Sequence, residues 1–326
     1  MKKKLLSICI TTLNREKFLK ETIDNIIDQN NGCFDLIISN GGCTDGTDKL
    51  MTKYCKNHNF IKYINPRKKI GLDEGYHICV KESNSFYSWC IPDDDILAEN
   101  SIKTITENLK DDIDLLLVNL KCYTKNLEIY LNQNLIPLNN DIDLNYSSFE
   151  KLFSKHMGAL SYTGTIILKN TIWLENDLSK FYNSWFGTYA AMASSKKIKK
   201  IRYLSKPVFH YRSACSSWTD HSFEIWHKIW PNHILSFELF NKYINNNDSI
   251  IFPWKRALTL LKSRAMGEYN LSSFKSIIYK NNNANFRIKI QSFLILLFPV
   301  SLLNLLLVLF MVIFKRNDIF SFYNLV

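Results

Sequence analysis

The chain reads as an α/β protein built on a doubly wound, mostly parallel sheet flanked by helices. Three observations predict it. The apolar runs Leu5–Thr11, Phe34–Ser39, Ile61–Ile64 and Phe86–Ile91 have the length and continuity of buried parallel strands. Amphipathic stretches of helical period separate them. The strand–helix alternation recurs at the spacing of right-handed parallel crossovers.

The elements follow in order. After Leu5–Thr11, the side chains Phe18, Leu19, Thr22, Ile23, Ile26 and Ile27 recur at helical spacing, and Gly32 breaks the chain before Phe34–Ser39. Asn40–Gly41–Gly42–Cys43–Thr44–Asp45–Gly46–Thr47 is a glycine-rich turn opening a helix over Asp48–Lys56. It either brings backbone N–H groups and a helix N-terminus to an anion or is a tight connection. Ile61–Ile64, the turn Pro66–Gly71 and a helix over Asp73–Lys81 lead to Phe86–Ile91, which ends at Pro92–Asp93–Asp94–Asp95. Three adjacent carboxylates repel one another unless a cation or solvent intervenes. Open α/β sheets bind ligands past the carboxyl ends of their strands. Oxygen donors there suit Mg²⁺ or Mn²⁺, with substrate phosphates completing the shell. The alternative is a solvated acidic turn capping the next helix, Ala98–Leu109. No G-x-G-x-x-G follows the first strand and no P-loop lysine is present, which excludes the usual dinucleotide and P-loop signatures.

Composition narrows the partners. The 326 residues carry a formal charge of +11, favouring anionic partners such as a nucleotide diphosphate or an acidic membrane face. The basic residues are scattered and form no nucleic-acid module, so nucleic acid is not expected. Eight cysteines without a C-x-x-C spacing read as reduced, mostly buried thiols of a cytosolic protein. Lys2–Lys3–Lys4 and Leu5–Ile10 superficially suggest a signal peptide, but the apolar run is too short and no small-residue cleavage site follows. Phe293–Phe314 carries no charged residue and is about long enough to cross a bilayer as a helix. Arg287 and Lys289 precede it and Lys315 and Arg316 follow, so flanking charge leaves orientation open. Pro299, Ser301 and Asn304 can kink it or let it dip into one leaflet; a buried soluble hairpin is the alternative.

In the second half, Leu115–Asn119 and Ser161–Leu168 read as strands, and Asn126–Asn145 as a polar irregular stretch. Lys206–Arg212, followed by Ser216–Ser217–Trp218, reads as a closing strand and loop. His221–Tyr243 and Pro253–Tyr269 are helical, with Trp226, Ile229, Trp230, Ile234, Phe237 and Phe240 forming a core or seam stripe, and Asn281–Asn285 is a polar linker.

Ser7–Ile8–Cys9–Ile10–Thr11–Thr12–Leu13–Asn14–Arg15, then Ser39 to Thr47, then the acidic triplet, together resemble glycosyltransferase family 2 with its GT-A fold. Gly71–Leu72–Asp73–Glu74–Gly75–Tyr76 and Trp89–Leu97 make the chain most similar to the bacterial O-antigen and capsule branch typified by abequosyltransferases. The match covers about the first hundred residues. The resemblance implies a nucleotide-sugar donor, UDP- or another NDP-sugar, whose base and ribose lie near Thr11, Thr12, Asn14 and Arg15. The family usually has an aspartate at Asn40, accepting from uracil or thymine N3–H; Asn40 also accepts, but it donates too and carries no charge. Asp45 orients the glycine loop or caps a helix. Asp73 reaches ribose or base, and Arg67, Lys68 and Lys69 approach the diphosphate or are solvated. Asp93, Asp94 and Asp95 match the DxD-type motif for Mn²⁺ or Mg²⁺, with Asp94 or Asp95 the direct ligand. His210 or Arg212 then touches the metal or the diphosphate.

The family's base is the aspartate of a Glu-Asp pair starting a later helix. The matching run Trp185–Phe186–Gly187–Thr188–Tyr189 holds no carboxylate. Glu175 and Asp177 are the nearest candidates, with His156 a weaker alternative. The expected protein is a metal-dependent, inverting glycosyltransferase acting on a polyprenyl-diphosphate-linked glycan at the cytoplasmic face of a bacterial inner membrane. Its regions are a nucleotide-sugar-binding half (1–110), an acceptor-binding half (111–220), a helical region (221–285) and a membrane-associated segment and tail (286–326). The rival is a catalytically inactive, membrane-tethered binding or scaffold protein of the same fold.

Overall fold

The computed structural model describes residues 3–128, 130–132, 136, 138–195, 197–212, 215, 221–237 and 253–314. The chain forms two compact units, Met1–Arg212 and Ser213–Val326.

The first unit alternates as anticipated at its start: β1 (Lys4–Thr12), α1 (Glu16–Asp28), β2 (Phe34–Asn40), α2 (Thr47–Asn57), β3 (Ile61–Ile64), α3 (Leu72–Lys81) and β4 (Ser85–Ile91). β1 pairs in parallel with β2 and β4, and β2 with β3. Leu19, Thr22, Ile23 and Ile26 form the buried face of α1. They join Leu6, Ile8 and Ile10 of β1 and Leu36 and Ile38 of β2 in one apolar cluster. Burying such side chains is worth roughly 1.5–3 kcal/mol each.

Beyond β4 the chain departs from the expected pattern. Ile96–Leu97 form a short strand, β5, antiparallel to β10 (Ile201–Arg212). The Ala98 N–H donates to Val208 O at 2.9 Å, so α4 starts at Ser101 rather than Ala98 and ends at Leu109. β6 (Leu115–Tyr123) runs parallel to β10. The polar stretch 126–145 contributes two short strands, β7 (Tyr130–Asn132) and β8 (Ile142–Leu144). α5 (Tyr146–Leu160) is kinked at His156. A 3₁₀ turn over Thr163–Thr165 delays β9 to Ile166–Lys169, later than the strand expected over Ser161–Leu168. β9 inserts antiparallel between β4 and β6, so the sheet is mixed rather than mostly parallel. α6 (Asn170–Leu174) and α7 (Gly187–Ala193) complete the unit. The strand order β3-β2-β1-β4-β9-β6-β10-β5 puts the tips of β1 and β4 side by side.

The second unit is helical. Phe223, Trp254, Leu260, Tyr269, Phe274, Ile277, Ile278, Ala284 and Ile295 form its core. The π-helical turns Ile225–Ile229 and Phe274–Tyr279 interrupt its α-helices. Positions 238–243 of the helix expected over His221–Tyr243, and the loop at Ser216–Trp218, lie outside the described residues. Asn285 caps the helix Phe286–Leu296, its amide oxygen accepting from the Ile288 N–H at 3.0 Å. A single helix over Phe293–Phe314 does not form. Phe286–Leu296 and Val300–Phe314 are separate helices, with a 91° bend between Phe286–Leu296 and Val300–Leu306. Pro299 supplies no N–H and disfavours helical backbone at the residue before it, which accounts for the break. No single helix among the described residues is long and apolar enough to cross a membrane.

Candidate active site

The triplet sits at the carboxyl end of β4, turned inward; Asp93, Asp94 and Asp95 are only 7%, 4% and 2% exposed. It is therefore not a solvated acidic turn. Thr22, on the buried face of α1, aims its hydroxyl at the carbonyl oxygens of Asp93 (3.0 Å) and Asp95 (2.9 Å), fixing the backbone of the turn. The Thr12 hydroxyl, at the end of β1, donates to Asp93 Oδ2 at 2.6 Å. Arg15 bridges two carboxylates, its Nε 2.9 Å from Asp93 Oδ1 and its Nη2 donating to Asp94 Oδ2. Asp95 accepts from the Arg212 backbone N–H (2.9 Å) at Oδ1 and from the Tyr162 hydroxyl (2.6 Å) at Oδ2. The Arg212 guanidinium donates to Asp94 O at 2.8 Å and to Glu21 Oε2 at 2.7 Å. Phe18 lies under both guanidinium groups, 4.8 Å from that of Arg15 and 5.2 Å from that of Arg212.

Burial sets the electrostatics. It pushes the Asp93 carboxyl up to about 7; Arg15 opposes that shift and Asp94 adds to it. Burial also raises Asp94 against the pull of Arg15, and it raises Asp95 well above the usual carboxylate range with help from Asp94. Three carboxylates face two guanidinium groups, one of which also serves Glu21, so the cluster is short of positive charge.

That shortage is a test of whether a divalent cation fits. Both oxygens of Asp95 accept from the protein donors named above, Asp93 Oδ2 accepts from Thr12 and Asp94 Oδ2 from Arg15, and Asp93 Oδ1 is ion-paired with Arg15 Nε. Among the described residues, Asp94 Oδ1 is the oxygen of the triplet that no other residue's donor occupies. No group of three His, Cys, Asp or Glu side chains among the described residues could hold a metal ion by itself. One carboxylate with the remaining ligands from phosphate and water is how Mg²⁺-type ions are commonly held, so the residues fit an ion that arrives with its nucleotide. His210, half-buried on β10, meets the Tyr123 ring at a tilt with centroids 4.8 Å apart, and burial and Lys121 lower its pKa.

The two loops beside the triplet are joined to each other. Asn14, at a left-handed φ of 56°, accepts from the Thr44 N–H at 2.7 Å. Asp45 accepts from the Glu16 N–H (3.1 Å) and from both the Thr47 N–H (3.2 Å) and hydroxyl (2.6 Å). It thus ties the glycine loop to the start of α1 as well as ordering the entry to α2. Asn40 bonds to its own loop through its oxygen and to α2 and β3 through its nitrogen. Its oxygen accepts from the N–H groups of Gly42 (2.7 Å) and Cys43 (2.6 Å), and its Nδ2 donates to Asp48 and Tyr63. Thr11 Oγ1 lies 3.5 Å from Ser39 O, and a Cβ on Gly75 would come within 2.2 Å of it, so only glycine fits there. Arg67 and Lys69 are exposed, and Lys68 is paired with Glu74 on the surface.

Asp73, near the start of α3, is turned towards the segment that leads into α7. At 3% exposed, it accepts from Ser184 N–H (2.7 Å), Trp185 N–H (2.9 Å) and Gly187 N–H (2.8 Å). It thereby holds the turn into α7, in which Trp185 has a left-handed φ of 70°. Burial pushes its carboxyl up to about 6 against those donors. A carboxylate thus does sit at the start of α7, supplied by α3. Glu175 pairs with Lys197 at 2.7 Å. Asp177 accepts from the Ser179 N–H at 2.9 Å, and the Ser179 bonds hold its carboxyl below the usual range. Neither bonds to the triplet. Thr22, Tyr162 and Glu21 are site residues that sequence reasoning missed. Thr22 was legible only as a core-facing helix position, and Tyr162 and Glu21 carried no local signal.

Comparison with known proteins is consistent with this arrangement. The model of the family described as glycosyl transferase family 2 matches residues 7–169. Abequosyltransferase RfbV of Salmonella typhimurium is 28% identical over 278 residues, covering 80% of this chain and 81% of the relative. Among solved structures, S. aureus TarS 1–349 in complex with UDP-GlcNAc superposes with a TM-score of 0.56 at 14% identity, covering 84% of this chain and 81% of that one. The mannosyltransferase PcManGT from Pyrobaculum calidifontis, in complex with GDP-Man and Mn²⁺, gives a TM-score of 0.53 at 11% identity, covering 94% of this chain and 88% of that one. At these identities the structural likeness establishes the fold, a GT-A-like mixed sheet flanked by helices.

Proposed function

The chain belongs to glycosyltransferase family 2, and on that premise we propose that it is an inverting, metal-dependent transferase in bacterial surface-polysaccharide synthesis. It moves a sugar from a nucleotide sugar to a polyprenyl-diphosphate-linked oligosaccharide at the cytoplasmic face of the inner membrane. The observation that carries the proposal is the buried triplet at the tip of β4, clamped to the first loop by Thr12 and Arg15 with Asp94 Oδ1 left over among the described residues. A nucleotide-sugar donor is supported by the neighbours described with UDP-GlcNAc and with GDP-Man. The assembly of a lipid-borne glycan is supported by the abequosyltransferase relative and by the apolar C-terminal helices.

Asp94 would hold Mn²⁺ or Mg²⁺ together with the donor's diphosphate, and such an ion supplies Lewis-acid stabilisation of the departing charge. Arg15 and Arg212 fix the carboxylates in place, which costs no reorganisation at the moment of reaction. In the transfer, the bond from the anomeric carbon to the diphosphate oxygen breaks, and its electron pair leaves with the nucleoside diphosphate. The acceptor hydroxyl oxygen bonds to the opposite face of that carbon while its proton passes to a carboxylate base, so configuration inverts. Asp177 is the proposed base, since among the described residues it forms no ion pair with a lysine, whereas Glu175 is held by Lys197.

The test is hydrolysis or transfer from a panel of nucleotide sugars by the protein in detergent, with Mn²⁺, with Mg²⁺ and with a chelator. Turnover of one donor that the chelator abolishes supports the proposal. Turnover unchanged in Asp94→Ala would overturn the assignment of the site.

A further inference from the structure

We propose that the bent pair Phe286–Leu296 and Val300–Phe314 enters one leaflet of an anionic bilayer and does not cross it. This deepens the membrane attachment proposed above and rests on it.

The pair is apolar on two sides: Ile295 and Leu303 are buried, and a second apolar face is turned outward. On Phe286–Leu296 the outward positions are Phe286, Ile290, Phe293 and Leu294, spaced as one helical face, and Leu297 extends it. On the second helix Leu302, Leu305, Leu306 and Leu309 repeat the pattern. Phe286 and Leu297 are 79% and 66% exposed. The polar side chain of Ser292 is buried, and that residue's carbonyl accepts from the Tyr269 hydroxyl at 2.9 Å. Asn304 likewise stands off the exposed leucine face. An apolar surface this continuous is well beyond the scattered exposed leucines of an ordinary globular protein.

The shape of the described residues favours entry over a span. At 1.5 Å per residue the described parts of the two helices are about 16 Å and about 22 Å long, each short of the roughly 30 Å of a hydrocarbon core. Set at 91°, they do not add end to end. The break itself is tolerated in an apolar setting because its backbone is partly satisfied: Arg264 Nε donates to Phe298 O at 3.3 Å. Charge names the occupant. From residue 253 to 314 there are eight lysines and arginines and a single acidic residue, Glu268. A basic surround on an exposed apolar face suits an anionic lipid surface rather than a second, equally basic copy of the chain.

The experiment uses the full chain with cleavable tags at both termini, in inverted inner-membrane vesicles from an expressing bacterium. Added protease should remove both tags to the same extent, and a 1 M NaCl wash should leave the protein on the vesicles. A second arm adds purified protein to vesicles of phosphatidylethanolamine with or without phosphatidylglycerol. Flotation should require the anionic lipid and fall at least tenfold in Leu294→Glu/Leu297→Glu, a variant altered only on the exposed face. A C-terminal tag protected in inverted vesicles and cleaved in right-side-out ones would overturn the one-leaflet geometry while leaving attachment standing. Absence of flotation, or a salt-stable dimer in its place, would overturn attachment itself. Donor hydrolysis measured alongside is independent of both results.

Discussion

Asp73→Asn is the perturbation whose consequence can be worked furthest. The wild-type carboxylate is buried and accepts three backbone N–H groups at the turn into α7. Its carboxyl is nevertheless pushed up from 3.8 to about 6, because desolvation outweighs those donors. With the folded pKa above the unfolded one, the native state binds the extra proton between those values. The contribution of Asp73 to stability is therefore greatest below about pH 4 and is lost as pH rises through 6. The shift corresponds to on the order of 3 kcal/mol at 1.36 kcal/mol per unit. Asparagine has no charge to desolvate, but turns one acceptor into a donor against a backbone N–H, a loss of about 1–3 kcal/mol. The variant should accordingly be clearly less stable than wild type at pH 4.5 and close to it at pH 8. Urea unfolding followed by tryptophan fluorescence across that range, in detergent, reads the difference. A difference that does not change with pH, or one that grows towards alkaline pH, would refute the burial argument.

Other outcomes follow from the same structure. Tyr162→Phe removes the hydroxyl that donates to buried Asp95 Oδ2, and should cost about 1–3 kcal/mol in urea unfolding; unchanged stability would mean that carboxylate finds another donor. Arg15→Lys keeps the charge but cannot bridge Asp93 and Asp94 with a planar fork, so kcat/KM for the donor should fall at least tenfold, and an unaltered value would remove Arg15 from the site. Asp177→Asn should reduce turnover at least a hundredfold with donor binding unchanged, whereas Glu175→Gln should not; the reverse ranking would exchange their roles.

The first four strands were legible because parallel βαβ units write themselves into sequence as continuous apolar runs alternating with amphipathic helices. Leu5–Thr11 and Phe86–Ile91 differ from β1 and β4 by only a residue or two at either end. The later strands were harder. β9 is four residues long and follows a 3₁₀ turn, and its antiparallel insertion between β4 and β6 depends on partners far away in the chain. The site divides in the same way. Thr12, Arg15 and the triplet could be read as motifs, since they lie in two local stretches. The Asp73 hydrogen bonds reach across more than a hundred residues, and Tyr162 meets Asp95 across 67, so no local pattern announces either. Asn40 shows the opposite limit: its motif position was visible, but the two N–H groups that take up its oxygen depend on how the glycine loop closes. The C-terminal apolar run was plain in sequence, yet its bend is a matter of one proline's geometry.

The account rests on Asp94 Oδ1 being the place where a divalent ion meets the donor's diphosphate. Crystals grown with Mn²⁺ and the nucleoside diphosphate of the active donor, read through the anomalous signal of manganese, address that directly. The account predicts a peak about 2.1 Å from Asp94 Oδ1, shared with phosphate oxygens, with Arg15 still against the triplet. A nucleotide bound with its manganese remote from Asp94 would contradict it.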